Sequence, residues 1–290
     1  MSPQVWRLTL VGKSSSSIDI RFLATQQAST MLHGIDPVFA ISGLAVGLLV
    51  GFTGVGGGSL MTPLLVLAFG VHPATAVGTD LLYAGVTKIS GGAVHAYHGS
   101  VDWRITRRLA YGSVPAALLS LLLLAHLGSS SKASGGIIST TLGIALIMTA
   151  VTLIFRKALL ARLARVMDGA SEQTIGVLTV ALGVVLGVLV TISSVGAGAI
   201  GATILLTLYP SSPIVRIVGS DIAHAVPLTL IAGAGHWWLG SVDFHMLLSL
   251  LVGSIPGIMI SSHFASRVPD RILRPLLAGT LAVVGGRLAF

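Results

Sequence analysis

The sequence predicts an all-α polytopic membrane protein made of two homologous repeats. Each repeat has a Gly-broken or re-entrant first segment followed by three transmembrane helices. Three observations predict this. The 290 residues are 53% hydrophobic and 9% charged, with a mean hydropathy of +0.94, against about 25% charged residues in a soluble domain. Several apolar runs reach the roughly 20 residues that cross the hydrocarbon as helix, without the short alternation of a barrel strand. A Gly-rich interruption inside a long apolar run occurs twice, at positions that correspond between the halves. Such paired interruptions mark the binding sites of transporters built from internal repeats.

Residues 1–34 are polar and Ser-rich, with Ser14 to Ser17 in a row. They lack the apolar core and small-residue cleavage site of a secretory signal. We expect the native start at Met31, with the preceding residues an upstream or disordered extension. The expected divisions are the extension 1–34, repeat 1 over 35–156, a basic cytoplasmic linker over 157–173 and repeat 2 over 174–290.

The first apolar run spans 38–70. As one straight helix it would measure about 50 Å against a hydrocarbon core of about 30 Å, so it must fold back or tilt strongly. Its middle, Gly51-Phe52-Thr53-Gly54-Val55-Gly56-Gly57-Gly58-Ser59, cannot hold a regular helix, because each glycine costs roughly 1 kcal/mol relative to Ala. Backbone outside a helix is tolerated at membrane depth only where protein or a cavity meets it. A helix restarting at Ser59 would aim free N–H groups and a positive dipole end at the break, an arrangement that suits an anion. Close packing of neighbouring helices through small residues explains the same glycines without a ligand.

Further apolar segments follow at 74–97, 105–127, 135–155, 174–209, 214–238, 244–265 and 271–289. Turn or charge signals separate them, such as Gly70-Val71-His72-Pro73 and Arg267-Val268-Pro269-Asp270. The run 174–209 carries the second break, Val190-Thr191-Ile192-Ser193-Ser194-Val195-Gly196-Ala197-Gly198. Beyond Pro73 and Pro213 the halves register at an offset of 141. Gly78-Thr79-Asp80 matches Gly219-Ser220-Asp221, His95 matches His236, and Gly112-Ser113-Val114-Pro115 matches Gly253-Ser254-Ile255-Pro256. So many matches at one offset indicate an internal duplication.

Orientation has two readings. Single crossings would give parallel repeats, whereas re-entrant hairpins would give inverted ones. The hairpin reading collects Arg104, Arg107, Arg108, Arg156, Lys157, Arg162, Arg165, Arg216, Arg267, Arg271 and Arg274 on one side, leaving Lys132 and Arg287 on the other. Counted from residue 31 onward with Lys88 left out, this 11 to 2 division against 8 to 5 for single crossings favours inverted repeats by the positive-inside rule. With residues 1–30 included, both readings give 11 to 5.

Ionisable groups within membrane helices mark pathways or partners. At 100° per residue, Asp80, Thr87, Gly91, His95 and His98 lie within about 60° of one stripe, and Asp221, His224, Gly235 and His236 repeat the pattern. Each Asp reads either as a helix N-cap or as a proton-titrating or substrate-orienting group. The two His residues read as interhelical bonds or as donors to an anion. Lys88 has no counterpart in the second half, where Thr229 takes its place, and is either a snorkelling or ion-paired residue or a substrate counter-charge. Asp102 and Asp243 read as caps, while Trp103, Trp237 and Trp238 suit the interfacial belt.

Other classes find little support. The net charge of +8 is scattered at helix junctions without interleaved aromatics, so no nucleic-acid partner is expected. There is no His-Glu-x-x-His, Gly-x-Ser-x-Gly or complete phosphate-loop motif, and cysteine is absent. We therefore expect no enzyme, cofactor or metal.

Thr53-Gly54-Val55-Gly56-Gly57-Gly58-Ser59-Leu60-Met61-Thr62-Pro63 with Val77-Gly78-Thr79-Asp80 resembles the sulfite exporter TauE/SafE family. So does Ser194-Val195-Gly196-Ala197-Gly198 with Val218-Gly219-Ser220-Asp221-Ile222-Ala223-His224-Ala225-Val226-Pro227. The resemblance covers about 38–290. It implies a multi-pass permease of the bacterial inner membrane for small anionic sulfur compounds such as sulfite or sulfonates. The expected substrate-binding set is Thr53, Gly54, Gly56, Gly57, Gly58, Ser59, Ser193, Ser194, Gly196 and Gly198. Thr79, Asp80, His95, Ser220, Asp221 and His236 are the expected coupling or orienting groups. The expected partners are the anion and the lipid bilayer, with a homodimer left open. A small-anion channel, and more remotely a membrane enzyme or scaffold, are the alternatives.

Overall fold

The computed structural model describes residues 35–53, 58–97, 99–128, 132–167, 169–196, 198–264 and 270–289. The described residues form ten helices: α1 Pro37–Thr53, α2 Gly58–Leu67, α3 Pro73–Tyr97, α4 Trp103–Leu127, α5 Lys132–Val166, α6 Glu172–Ser193, α7 Ala199–Leu208, α8 Ile214–Trp238, α9 Phe244–Phe264 and α10 Asp270–Ala289. Five are long and apolar enough to cross a membrane: α4, α5 over Ser134–Arg156, α6, α8, and α9 over Phe244–Ser261. The second apolar run breaks as expected, between α6 and α7, while the expected break of the first, at Gly54 to Gly57 between α1 and α2, lies outside the described residues. Within the expected linker, α5 stays helical through Arg156 and Arg162 to Val166. Its run of Ala, Leu, Arg and Lys residues favours helix whether or not lipid surrounds it.

The ten-residue helices α2 and α7 are about 15 Å long, half the hydrocarbon thickness. Arg108 donates to Tyr209, the residue just after α7 (3.2 Å), and lies 3.6 Å from Glu172, which opens α6. Both ends of the second broken run therefore meet one guanidinium, and Glu172 also pairs with Arg104. In the first half, Phe39 at the start of α1 packs its ring against Phe69, just after α2, with centroids 5.2 Å apart. These contacts bring the two ends of each run close together.

Helix directions follow from which residues touch. Gly78 lies against His236, Gly233 against Leu82, and Gly85 against Thr229 and Leu230, so α3 and α8 run antiparallel. By contrast, α4 runs parallel to α8, with Thr106 on Ser220, Ser113 on His224 and Leu121 on Gly235.

The closest packing is made by glycines. In α1, Gly43 and Gly47 press on the backbone of α9 at Leu250 and Ser254. In α6, Gly183 and Gly187 press on α4 at Leu109 and Ser113. Partners answer from the other helix: a Cβ on Gly253 would overlap the Ala40 carbonyl, and one on Gly112 the Val180 carbonyl. With lipid outside as apolar as the core, such close backbone approach is the main attraction between membrane helices. Around these contacts lie two clusters, one of Val46, Met61, Leu65, Ala76 and Leu250, the other of Leu186, Leu205, Ile217, Ile105 and Leu109. Large apolar side chains such as Leu119, Leu122 and Met259 stay exposed, as do Trp103, Trp237 and Trp238.

Two outcomes test this arrangement. The chain has no cysteine, so single cysteines report topology directly. Cysteines replacing Ala170 and Ser211 should be labelled by an impermeant maleimide from one face of the membrane, and those replacing Ile35 and His72 from the opposite face. Gly112→Ala and Gly253→Ala should each destabilise the detergent-solubilised protein by about 1–3 kcal/mol through overpacking. Gly136→Ala and Gly279→Ala, where a Cβ meets nothing, should stay within about 0.5 kcal/mol in the same thermal unfolding assay.

Candidate functional site

Helix α6 ends at Ser193, and the chain then leaves helical geometry. Ser194 caps the helix in the left-handed region (φ 60°), the one non-glycine residue with positive φ among those described. Such a conformation costs roughly 1–2 kcal/mol for an L-residue and persists where surroundings impose it. Gly196 (φ 123°) and Gly198 (φ 114°) follow in backbone that only glycine adopts readily. The second break therefore needs its glycines for conformation, whereas Gly43 and Gly183 need theirs for packing.

The polar groups of this break are partly used. Ser193 donates to the Leu189 carbonyl (2.6 Å) and accepts from the Val195 N–H (3.3 Å). His236 reaches from α8 to the Thr191 carbonyl (3.0 Å), so its Nε2 carries the proton and meets one of the orphan carbonyls that end α6. The Ser194 hydroxyl, Thr191 hydroxyl and His236 Nδ1 are buried with no hydrogen-bond partner. Since most buried polar side-chain atoms are paired, their gathering at one break is notable.

Neither Asp80 nor Asp221 caps its own helix. α3 begins at Pro73 and α8 at Ile214, seven residues before the carboxylate in each case, because Pro starts or precedes the first turn. Each Asp instead reaches the neighbouring half-helix. Asp80 Oδ2 accepts from the Thr62 hydroxyl and from the Thr62 N–H (3.2 Å) in α2. Asp221 Oδ1 lies 2.7 Å from where a Cβ of Gly201 would stand, at the first turn of α7. That turn has Gly198 as N-cap and no side-chain cap. A carboxylate beside a helix N-terminus is electrostatically favoured, so each positive half-helix end already faces a resident negative group.

Asp80 also faces the opposite break. The Ser194 hydroxyl stands near its carboxylate, although neither Ser194 Oγ nor Asp80 Oδ1 closes a hydrogen bond. Leu60, two residues into α2 beyond Gly58, packs in one cluster with Val195 and Leu189. The flank of the first break and the second break thus share a core.

A reciprocal pair of hydrogen bonds ties the halves together. The Asp243 N–H donates to Thr79 Oγ1 (3.0 Å) and the Asp102 N–H donates to Ser220 Oγ (2.7 Å). Asp102 caps α4 and Asp243 accepts from the Met246 N–H in α9, as expected of caps. Thr79 and Ser220 therefore position helix starts. Ser113 and His224 Nε2 meet at 2.7 Å. At the matching positions, Ser254 stands near Tyr83 without closing a bond.

Of the expected residues, Gly54, Gly56 and Gly57 lie outside the described residues, as do the side chains of Thr53, Ser59 and His95. The structure brings together Ser194, Asp80, Asp221 and His236, together with the backbone of Gly196 and Gly198. Thr62, Thr191 and Ser113 join them without having been singled out as site residues, and so does Lys88, read from the sequence as an ion-paired residue or a substrate counter-charge. Ser113 did carry a signal, since Gly-Ser-x-Pro recurs at Ser254. Thr62 had only its place before Pro63.

A helical bundle with five membrane-length helices and two short apolar helices, each with a buried carboxylate beside it, fits the build of a membrane transport protein. Comparison with known proteins agrees. The family described as "Sulfite exporter TauE/SafE" matches residues 39–288. "Probable membrane transporter protein YjnA" of Bacillus subtilis (strain 168) is 37% identical over 252 residues, covering 86% of this chain and 97% of that protein. "Probable membrane transporter protein YdhB" of the same organism is 29% identical over 254 residues, covering 84% and 96%. A "Probable membrane transporter protein" of Xylella fastidiosa (strain 9a5c) is 28% identical over 131 residues, covering 45% and 48%. No solved structure matches the chain. The chain belongs to the sulfite exporter TauE/SafE family, a family of multi-pass membrane transporters and not of enzymes.

Thr79→Val and Ser220→Ala should each lower thermal stability by about 0.5–1.5 kcal/mol, since each removes the hydrogen bond to a half-buried helix-start N–H. Substrate affinity should be nearly unchanged in both, as read by ligand-binding titration.

Proposed function

We propose that this protein carries a small sulfur-containing anion, such as sulfite or a sulfonate, across the bacterial inner membrane by alternating access between two inverted repeats. The observation that carries the reading is the placing of Asp80 and Asp221 on the two half-helices, from helices that cross antiparallel. The reciprocal bonds of Thr79 and Ser220 support the repeats, since a two-fold relation between halves exchanges such contacts in pairs.

In this reading each break offers main-chain N–H groups, together with Thr53 and Ser59 in one half and Ser193 and Ser194 in the other. The substrate is held between Gly54, Gly56, Gly57 and Gly58 and the facing Gly196 and Gly198. His95 and His236 orient the breaks. The resident carboxylates give the cycle its coupling. An anion and an ionised Asp compete for the same positive helix end, so one excludes the other by like-charge repulsion. A proton on Asp80 or Asp221 removes that competition, and the anion then enters with a proton. The basic residues counted above fall on the side where α4, α6 and α8 begin, and the positive-inside rule reads that side as cytoplasmic.

Counterflow of radiolabelled sulfite in proteoliposomes tests the reading. Flux should be saturable and should accelerate when a pH gradient drives protons in the same direction. Asp80→Asn and Asp221→Asn should each abolish the acceleration by the gradient. Ohmic anion current without saturation would favour a channel, and no movement of any sulfur oxyanion or sulfonate would remove the proposal.

A further inference from the structure

Lys88 is a cation within the helical bundle at a position that the duplication does not repeat. It lies on the face of α3 that carries Val77, Leu81, Ala84 and Gly85, all buried. At about 100° per residue it points at least a quarter turn away from the exposed Val86 and Ile89. Its half-buried side chain therefore opens toward the interior between α3 and α8 and not toward lipid. It follows by one turn the point where Gly85 meets Thr229 and Leu230, where the two antiparallel helices cross.

Its charge acts on three groups at once: Asp80 on its own helix, and Asp221 and His224 on α8. Among the described residues it closes an ion pair with none of them. The matching position in the other half is Thr229, whose hydroxyl donates back to the Ala225 and Val226 carbonyls of its own helix (2.8 and 3.0 Å). The crossing point therefore carries one cation, not two. A buried charge normally needs a partner. Asp80 Oδ1 and Asp221 Oδ1 are likewise buried and without hydrogen-bond partners.

We propose that the Lys88 ammonium is the cation that binds the substrate oxyanion at the helix crossing, and that Asp80 and Asp221 share it when the anion is absent. The inference rests on the anion-transport reading and adds to it a residue that the duplicated motifs do not contain. Each break belongs mainly to one half, but a cation at the crossing serves both. As the carrier rocks, Lys88 can pass from one carboxylate to the other while the anion stays beside it. An ammonium on a flexible stem suits that role, as it adapts to several acceptors.

Radiolabelled sulfite binding to the full-length protein in lipid nanodiscs tests this. Lys88→Thr, which copies position 229, should weaken binding at least about tenfold, the loss expected of one charge-assisted hydrogen bond. Adding Thr229→Lys to that variant moves the cation across the crossing and should restore binding to within about threefold of the original. Lys88→Arg should bind, and Lys88→Met, which keeps the stem without the charge, should not. The Met variant carries the test if the Thr variant does not fold. Unchanged binding by Lys88→Thr or Lys88→Met, with the unaltered protein binding sulfite, would overturn the role of Lys88 and leave the transport reading intact. Failure of Thr229→Lys to rescue would overturn the shared-cation idea, because it would tie the effect to one position. If the unaltered protein binds neither sulfite nor any sulfonate, the transport reading falls first and this inference with it.

Discussion

The fold depends on backbone meeting backbone at glycine. α1 lies on α9 through Gly43 and Gly47, and α6 lies on α4 through Gly183 and Gly187. In lipid, no difference in apolarity separates helix from solvent, so attraction comes from close van der Waals approach. Larger side chains at these positions would push the helices apart. They would also separate the polar stripes that α3 and α8 carry, since these helices are held between the two glycine-packed pairs. Gly78, Gly85 and Gly233 then let α3 and α8 themselves come close.

That closeness is what makes the broken segments tolerable. At membrane depth each freed N–H or carbonyl must find a partner within the protein. The structure supplies them from side chains of the neighbouring helix. His236 meets the Thr191 carbonyl at the end of α6, and Asp80 meets Thr62 in α2. The residues that stabilise the breaks are thus among those that give them chemistry. The two halves do so unequally: Asp80 has two formed bonds to Thr62, whereas Asp221 Oδ1 has none.

The sequence was legible wherever a residue's role depends on its own segment. Apolar length located the helices, the caps Asp102 and Asp243 followed from turn chemistry, and the glycines of the second break sit where φ is positive. It was less legible wherever a role depends on what packs opposite. Gly-Thr-Asp after a proline looks like a cap, yet the helix starts a full two turns earlier and Asp80 serves α2. Thr79 and Ser220, expected as coupling or orienting groups, also hold helix starts in the opposite half, a contact that no local pattern shows. Thr62 and Thr191 have no local pattern that marks them, since a threonine in an apolar run most often bonds its own helix.

By itself, the sequence determined that the chain is a helical membrane protein, how many apolar segments it has, where two of them break, and that its halves echo each other at a fixed offset. These follow from composition and local propensity, which every residue carries with it. Only the tertiary structure decided that α3 and α8 run antiparallel, that Asp80 reaches Thr62 of α2, and that Thr79 and Ser220 hold helix starts of the opposite half. The physical reason is range. Helix formation is governed within a few residues, whereas direction and the meeting of charges depend on contacts between residues more than a hundred positions apart.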